Sequence, residues 1–285
     1  MSQVDRYAVI GHPIEHSLSP LLHTAFAQQT GQAMRYDLLP APPTGFATVA
    51  AAFFRDGGCG LNVTLPFKGE AAAFVDLLVG SAQTACAVNT IQVVGTGPKP
   101  QTRGFNTDGV GLVRDITDNL GWSLAGQRVL LLGAGGAARG ALVALLAQRC
   151  ASITVANRTL AKAERLVEQV LMADEDGADS RPEIASCALH ALREPVDLVI
   201  NATSASMSGK GDLIAPSVVT QANCYDMLYA QNQTQFCEWA KASGAAGISD
   251  GLGMLVEQAA EAFFVWRQVR PDVTTLLAQR AQLFV

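Results

Sequence analysis

The stretch Gln127–Leu146, QRVLLLGAGGAARGALVALL, decides how the chain is read. Val129–Leu132 is a run of β-formers that breaks at glycines and resumes as an Ala/Leu-rich segment, which predicts strand, tight turn and helix. Inside the turn, Gly133, Gly135 and Ala138 fit the G-x-G-x-x-G/A spacing of a dinucleotide fingerprint. Small residues are needed there because the backbone must turn sharply, let a pyrophosphate reach its N–H groups, and set that anion at the positive end of a helix. Alone, the spacing also suits a glycine-rich turn that holds no ligand.

The next elements weigh against that plainer reading. Ser152–Ala156, SITVA, is a second β-like run, and Asn157-Arg158-Thr159 follow where an NAD-binding unit places an Asp or Glu for the ribose 2′-hydroxyl. An arginine beside a neutral residue suits a 2′-phosphate instead, and Lys162 adds a second cation if a helix starts here. Arg158 and Lys162 could equally be solvated charges at a helix start. The strand–glycine–strand context favours an NADP site.

The chain has 285 residues, enough for two domains that each bury a core. Hydrophobic residues make up 49% and charged residues 16%, the balance of a compact globular protein, and the net charge of −5 offers no general basic field for nucleic acid. Six cysteines, at 59, 86, 150, 187, 224 and 237, show no C-x-x-C pair and no histidine-rich neighbourhood. They indicate neither zinc nor a disulfide framework, and read as free thiols in a reducing cytosol. The N-terminus MSQVDRYAVIG lacks the basic and apolar regions of a signal peptide, and glycines with Arg139 interrupt the longest apolar run short of the ~18 residues of a membrane span. A cytoplasmic protein without membrane or nucleic-acid partners is expected; a homodimer is left open.

There is no internal repeat, and the one biased patch, Asp174–Asp179 (DEDGAD), reads as an exposed acidic loop. In the first third, β runs at Tyr7–Ile10, Gly60–Leu65 and Val88–Val94 alternate with helical stretches at Pro20–Gln29, Phe46–Phe54 and Glu70–Val79, which predicts βα units on a mainly parallel sheet. Beyond the fingerprint, Val196–Ala202, Cys224–Met227 and Ala246–Ser249 continue as strands, with a helix over Thr234–Ser243. The apolar run Met254–Val269 must bury a wide face, and is expected to return to the first domain. The fold expected is α/β in two domains, residues 1–108 with 251–285 for substrate and 109–250 as a Rossmann-like NADP domain.

Three polar clusters stand out in the apolar first domain. His16-Ser17-Leu18-Ser19-Pro20 sets two hydroxyls before a proline suited to a helix start, with Ser19 in the N-cap place. Asn62-Val63-Thr64-Leu65-Pro66-Phe67-Lys68 ends a β run with an amide, a hydroxyl and an ammonium. Gly104-Phe105-Asn106-Thr107-Asp108-Gly109 sets a carboxylate among turn residues, which an Asx-type turn would also explain.

HSLSP, NVTLPFK, AVNT (87–90), GFNTDG, GAGGAAR, NRT, NATSA (201–205), YDMLY (225–229) and DGLGMLVEQA (250–259) occur in this order over nearly the whole chain, which resembles the NADP-dependent bacterial shikimate dehydrogenases. The resemblance implies that Ser17 and Ser19 hold a shikimate carboxylate with Tyr229 nearby, and that Thr64, Lys68, Asn89, Asp108 and Gln258 contact the ring hydroxyls. It also implies that Gly133, Ala134, Gly135, Gly136 and Ala137 hold the NADP pyrophosphate. Asn157, Arg158, Thr159 and Lys162 would hold the 2′-phosphate, and Met227 and Gly251 would line the nicotinamide end. The chain departs from the family at Glu15, at Thr24, and after Asn201–Ala205, where Ser206 is followed by Met207-Ser208-Gly209-Lys210-Gly211. The last departure touches a loop expected near the cofactor.

Oxidation of a ring secondary alcohol needs a hydride acceptor, which nicotinamide supplies, and a group for the hydroxyl proton. Lys68 is the candidate, with Asp108 beside it; the plainer role for both is an ion pair between domains. The alternatives are a quinate or aminoshikimate dehydrogenase on the same scaffold, or a catalytically silent NADP-binding regulator. Ser19, where quinate-accepting relatives often carry Thr, leans towards shikimate, and the presence of both Lys68 and Asp108 argues against the silent regulator.

Overall fold

The computed structural model describes residues 4–95, 100–173, 181–203 and 214–284. The chain divides into two compact units, Met1–Gly111 with Val256–Val285 and Leu112–Leu255. The DEDGAD patch and the 204–211 segment lie outside the described residues.

The first unit has strands β1 (Asp5–Gly11), β2 (Met34–Pro40), β3 (Gly58–Val63), β4 (Leu77–Leu78), β5 (Thr90–Val94) and β6 (Gln101–Phe105). Helices α1 (Ser19–Thr30), α2 (Phe46–Arg55), α3 (Lys68–Phe74) and α4 (Ser81–Ala85) lie between them, and α5 (Asp108–Arg114) follows. The sheet order is β2-β1-β3-β5-β6-β4. β1 is parallel to β2 and β3, and β4 to β6, whereas β5 runs antiparallel to both neighbours. Only residues 95–100 separate β5 from β6, too few for a parallel crossover, so the sheet is mixed at its centre. Both faces of β1 are buried: Ala8 and Ile10 pack with Leu61, Phe67 and Ile91, while Tyr7 and Val9 pack with Tyr36, Ala262 and Trp266.

The helix expected over Glu70–Val79 ends at Phe74, and Leu77–Leu78 join the sheet instead. The Asp76 carboxylate accepts from the Thr102 backbone N–H at 2.7 Å and its hydroxyl at 2.8 Å, which ties this stretch to the sheet edge. Strands β2, β6 and, in the second unit, the strand Glu183–Ala188 had no counterpart among the sequence expectations. Charges such as Arg35 and Asp37 break the apolar run of β2, yet its backbone pairs with β1 along its length.

The second unit has strands β7 (Arg128–Leu132), β8 (Ser152–Asn157), β9 (Glu183–Ala188), β10 (Leu198–Asn201), β11 (Asn223–Asp226) and β12 (Gly247–Ser249). Its helices are α6 (Gly136–Leu146), α7 (Leu160–Ala173), α8 (Pro216–Val219) and α9 (Gln235–Ala242). All its strand pairs are parallel, in the order β12-β11-β10-β7-β8-β9. This is the doubly wound arrangement, and the order reverses between β7 and β10, where such sheets open a crevice at the strands' carboxyl ends. Leu130 and Leu132 face one core and Val129 and Leu131 the other, so helices must cover both sides. On α7, Ala163, Leu166 and Val170 recur at helical spacing and are the buried residues.

Helix α10 (Leu252–Arg267) is followed by the short α11 (Thr274–Ala278). From Val256 onward this segment belongs to the first unit, where Trp266 stacks on Tyr7 at 4.6 Å and donates from Nε1 to the Ile91 carbonyl at 3.0 Å. The C-terminal return makes the first unit discontinuous, and the divisions fall inside α5 and α10 rather than in the loops before them. No helix among the described residues is long and apolar enough to cross a membrane.

Candidate active site

In the first unit, one end of the central strands gathers all three polar clusters. HSLSP follows β1 and NVTLPFK completes β3, its parallel neighbour, with Ile10 paired to Val63. Because β5 is antiparallel, its first residue Thr90 pairs with Asn62 and with Phe105, so Asn89 and the Asn106–Asp108 turn reach the same end.

Lys68 begins α3, and its Nζ donates to Asp108 Oδ2 at 2.6 Å. The pair is partly open, with side-chain exposures of 32% and 18%, so both groups can meet a solute. Asp108 begins α5, where a carboxylate suits the positive end of the helix, and its N–H donates to Asn106 Oδ1 at 3.2 Å. The Asx turn and the ion pair therefore coexist on GFNTDG. Asn89 is buried behind Asp108: Nδ2 donates to Asp108 Oδ1 at 2.9 Å and to Gln258 Oε1 at 3.2 Å. The Thr107 N–H donates to Asn89 Oδ1 at 2.8 Å, which fixes the amide with its N–H face towards the carboxylate. Lys68, Asn89, Asp108 and Gln258 thus form one hydrogen-bonded group. The Thr64 hydroxyl, just past β3, makes no hydrogen bond among the described residues.

The helix-start expectation for HSLSP needs correction. Leu18 is the N-cap and Ser19 lies inside the first turn; the hydroxyl that accepts from the helix start is Ser17 Oγ, from the Ser19 N–H at 3.3 Å. Pro20, without an N–H, suits this turn.

Asn62 is a buried hub rather than a ligand-facing amide. Its Oδ1 accepts from the Tyr36 hydroxyl at 2.7 Å and meets His23 Nε2 at 3.1 Å, while Nδ2 donates to Thr90 Oγ1 at 3.0 Å. His23 stacks on Tyr36 with centroids 4.2 Å apart. Nothing in the local sequence marks this arrangement, because the partners come from three separate elements.

In the second unit, the fingerprint follows β7 at the order reversal. Gly133 has φ +111°, a left-handed conformation, and a Cβ there would lie 3.1 Å from the Ala202 carbonyl oxygen. Gly135 is the N-cap of α6 without a side chain, and Gly135 and Gly136 face open space. Exposed N–H groups at a helix start with room before them fit a pyrophosphate. Ala134 is partly buried and Ala137 exposed along this turn. Asn201 supports it from β10: Nδ2 donates to the buried Asp226 carboxylate at 3.0 Å, and Oδ1 accepts from the Thr203 hydroxyl at 2.7 Å. Desolvation raises the Asp226 carboxyl above its ordinary range, against the hydrogen bonds from Thr234, Leu228 and Asn201.

At the end of β8, Asn157 Nδ2 donates to the Thr159 carbonyl at 2.9 Å, and Arg158, Thr159 and Lys162 are exposed at the start of α7. A cavity of about 360 Å³ opens beside Arg158, with Leu189, Ile214, Ala215 and Pro216 as its apolar lining and His190 and Arg193 as its polar lining. These last two were not singled out in the sequence, since 189–197 carries no motif. Met227 and Tyr229 follow β11, and Gly251 precedes α10; all three belong to the second unit. A Cβ on Gly251 would lie 2.4 Å from the Met227 carbonyl oxygen, so only glycine fits there. The six cysteines are free, and no acidic, histidine or cysteine group among the described residues could hold a metal.

A doubly wound parallel sheet, a glycine turn at its switch point and a polar cluster with a Lys–Asp pair on a separate unit define a two-domain, dinucleotide-binding α/β protein of the dehydrogenase class. Residues 9–91 match the shikimate dehydrogenase substrate binding domain, 113–213 the shikimate / quinate 5-dehydrogenase model, and 251–279 the shikimate 5′-dehydrogenase C-terminal domain. The chain is 48% identical to the shikimate dehydrogenase (NADP(+)) of Alkalilimnicola ehrlichii over 96% of its own length and 97% of the relative's. Among solved structures it resembles an Ael1 enzyme from Pseudomonas putida, with a TM-score of 0.87 and 39% identity over 99% and 98% of the two chains. It also resembles the shikimate 5-dehydrogenase of Thermus thermophilus in complex with NADP(H) and shikimate, with a TM-score of 0.84 and 30% identity over 98% and 99%. The chain belongs to the shikimate dehydrogenase family.

Proposed function

We propose that this chain catalyses the NADP-dependent, reversible oxidoreduction of shikimate and 3-dehydroshikimate, a step towards chorismate and the aromatic amino acids, in the cytoplasm. The observation that carries the reading is the Lys68–Asp108 pair at 2.6 Å, partly open to solvent and backed by the buried amide of Asn89.

Lys68 Nζ takes the proton of the reacting hydroxyl in the oxidative direction and returns it to the forming alkoxide in the reductive one. Asp108 holds Lys68 in place and accepts from the same hydroxyl. Asn89, itself bonded to Gln258, fixes Asp108; Asn89 and Gln258 read the neighbouring ring hydroxyls, and Thr64 offers a hydroxyl with no competing partner among the described residues. Ser17 and Ser19 hold the substrate carboxylate, with Tyr229 as a further donor. NADP⁺, when bound, supplies the hydride acceptor. Gly133 to Ala137 hold its pyrophosphate, Asn157, Arg158, Thr159 and Lys162 its 2′-phosphate, and Met227 and Gly251 border its nicotinamide. A net charge of −5 agrees with a small-molecule substrate and with no nucleic-acid partner.

The test is an assay of the purified chain with NADP⁺ and shikimate or quinate, followed by nicotinamide absorbance. Turnover with shikimate well above quinate is expected; faster turnover of quinate would move the substrate assignment, and no turnover of either would overturn the reading.

A further inference from the structure

We propose that Arg193 is a second specificity-determining residue for the cofactor's 2′-phosphate, acting from the turn after β9, opposite Arg158 at the end of β8. The proposal rests on the NADP reading above and extends it to a residue outside the N-R-T segment.

Strand register brings the two arginines to one place. β8 and β9 are parallel neighbours, and Asn157 pairs with Ala188, so Arg158 and Leu189 are the first residues past the same edge of the sheet. A 3₁₀ turn, Leu189–Ala191, then turns the chain over that edge. Arg193 Nη1 donates to the carbonyls of His190 at 2.6 Å and Leu192 at 2.7 Å, which anchors one end of the guanidinium. Its Nη2 and Nε make no hydrogen bond among the described residues. The planar group is therefore held in place with a donor pair left over, the arrangement that suits a phosphate.

The cavity between them has the right character. Its volume of about 360 Å³ lies within the range of small-molecule sites. Ile214 is buried in the second unit's core, with Leu189 and Ala215 packed against it, so the apolar wall is part of the packed interior and offers a flat ring a firm surface. Arg158, Arg193 and His190 supply the cationic and donor rim. An apolar wall with two arginines at its rim takes a flat heteroaromatic ring whose ribose carries an anion. A ribose with only hydroxyls would leave both guanidinium groups without a charged partner.

The test uses 2′,5′-ADP and ADP as probes, which differ by the 2′-phosphate and need no turnover, titrated calorimetrically into the whole chain. For Arg193→Ala, binding of 2′,5′-ADP is expected to weaken about tenfold, or about 1.4 kcal/mol, while ADP is essentially unchanged. Arg193→Gln keeps an amide donor for the two carbonyls but loses the charge, and is expected to show the same selective loss. Equal weakening of both probes, or a loss in Arg193→Ala that Arg193→Gln restores, would assign Arg193 to holding the 3₁₀ turn and overturn the proposal. Unchanged discrimination in both variants would overturn it as well. A wild-type chain that bound the two probes equally would overturn the NADP reading itself, and this assignment with it.

Discussion

His23 is enclosed on α1 with one ring nitrogen bonded and the other bare. Asn62 Oδ1 is an acceptor for both Tyr36 and His23, so Nε2 is the donor of the His23–Asn62 bond; a proton on Nδ1 would be buried with no acceptor among the described residues, so the ring is the neutral Nε2–H tautomer with Nδ1 a bare lone pair. Burial pushes its pKa down to about 3, against the hydrogen bond it donates to Asn62, which acts the other way. The unfolded chain therefore takes up this proton near the usual imidazole value while the folded chain does not. Stability from this residue is complete above about pH 6.5 and falls as the pH drops towards 3, by at most about 1.4 kcal/mol per pH unit. Urea unfolding of the wild type and His23→Gln over this range is expected to show a shallower decline in the variant; equal slopes would mean that His23 is not held neutral. Lys68 and Asp108 could be picked out from the sequence because they lie in short strings of polar residues within apolar surroundings, whereas Asn89 and Gln258 were reached only through the family resemblance. His23, Tyr36 and Asn62 could not be grouped, since Tyr36 and Asn62 are 26 positions apart and meet only through the sheet.

Where α1 begins, the sequence placed the cap on Ser19, whereas Ser17 accepts the hydrogen bond from the helix start. A Ser-x-Ser-Pro string offers two hydroxyls to the same turn, and spacing alone does not choose between them. Ser17→Ala is thus expected to do two things: lower stability by about 0.5–1 kcal/mol through the lost cap, and weaken shikimate binding severalfold, with NADP⁺ binding unchanged. Thermal unfolding and calorimetric titration separate these effects, and an equal loss of both ligands would indicate general disorder rather than a carboxylate contact. The start of α10 is set by a closer fit. A Cβ on Gly253 would lie 1.9 Å from Asp115 Oδ1, and Asp115 is itself held by the Tyr225 hydroxyl at 2.6 Å and by Asn119 Nδ2 at 3.0 Å. Gly253→Ala must displace this buried carboxylate and is expected to cost about 1–3 kcal/mol; a melting temperature equal to wild type would show that the helix start can shift freely. The compositional reading of this region begins only at Met254, because the partner that requires Gly253 comes from residue 115 and has no local signature.

The two-unit organisation was the part most open to sequence reading, because the glycine fingerprint fixes β7 and α6, and the alternation around it imposes a parallel sheet. The reversal of β5 was not seen, since its apolar run looks alike in either direction; yet that reversal delivers Asn89 to the end of the strands where Asp108 stands. If the second unit selects the cofactor as proposed, Arg158→Ala is expected to lower kcat/KM with NADP⁺ by one to two orders of magnitude, about 1.5–3 kcal/mol, and to leave the value with NAD⁺ nearly unchanged. Steady-state kinetics with both cofactors at saturating shikimate checks this, and an equal loss with the two would remove Arg158 from cofactor selection. In the proposed reaction the Lys68–Asp108 pair of the first unit carries the proton of the reacting hydroxyl. The decisive measurement is of kcat and shikimate affinity for Lys68→Ala side by side with wild type, with the fold verified by circular dichroism. A fall in kcat of roughly 10²–10⁴-fold with affinity changed far less is the result expected for loss of a general acid/base. A variant that kept more than about half of the wild-type kcat, or that lost shikimate binding and turnover in equal measure, would contradict it.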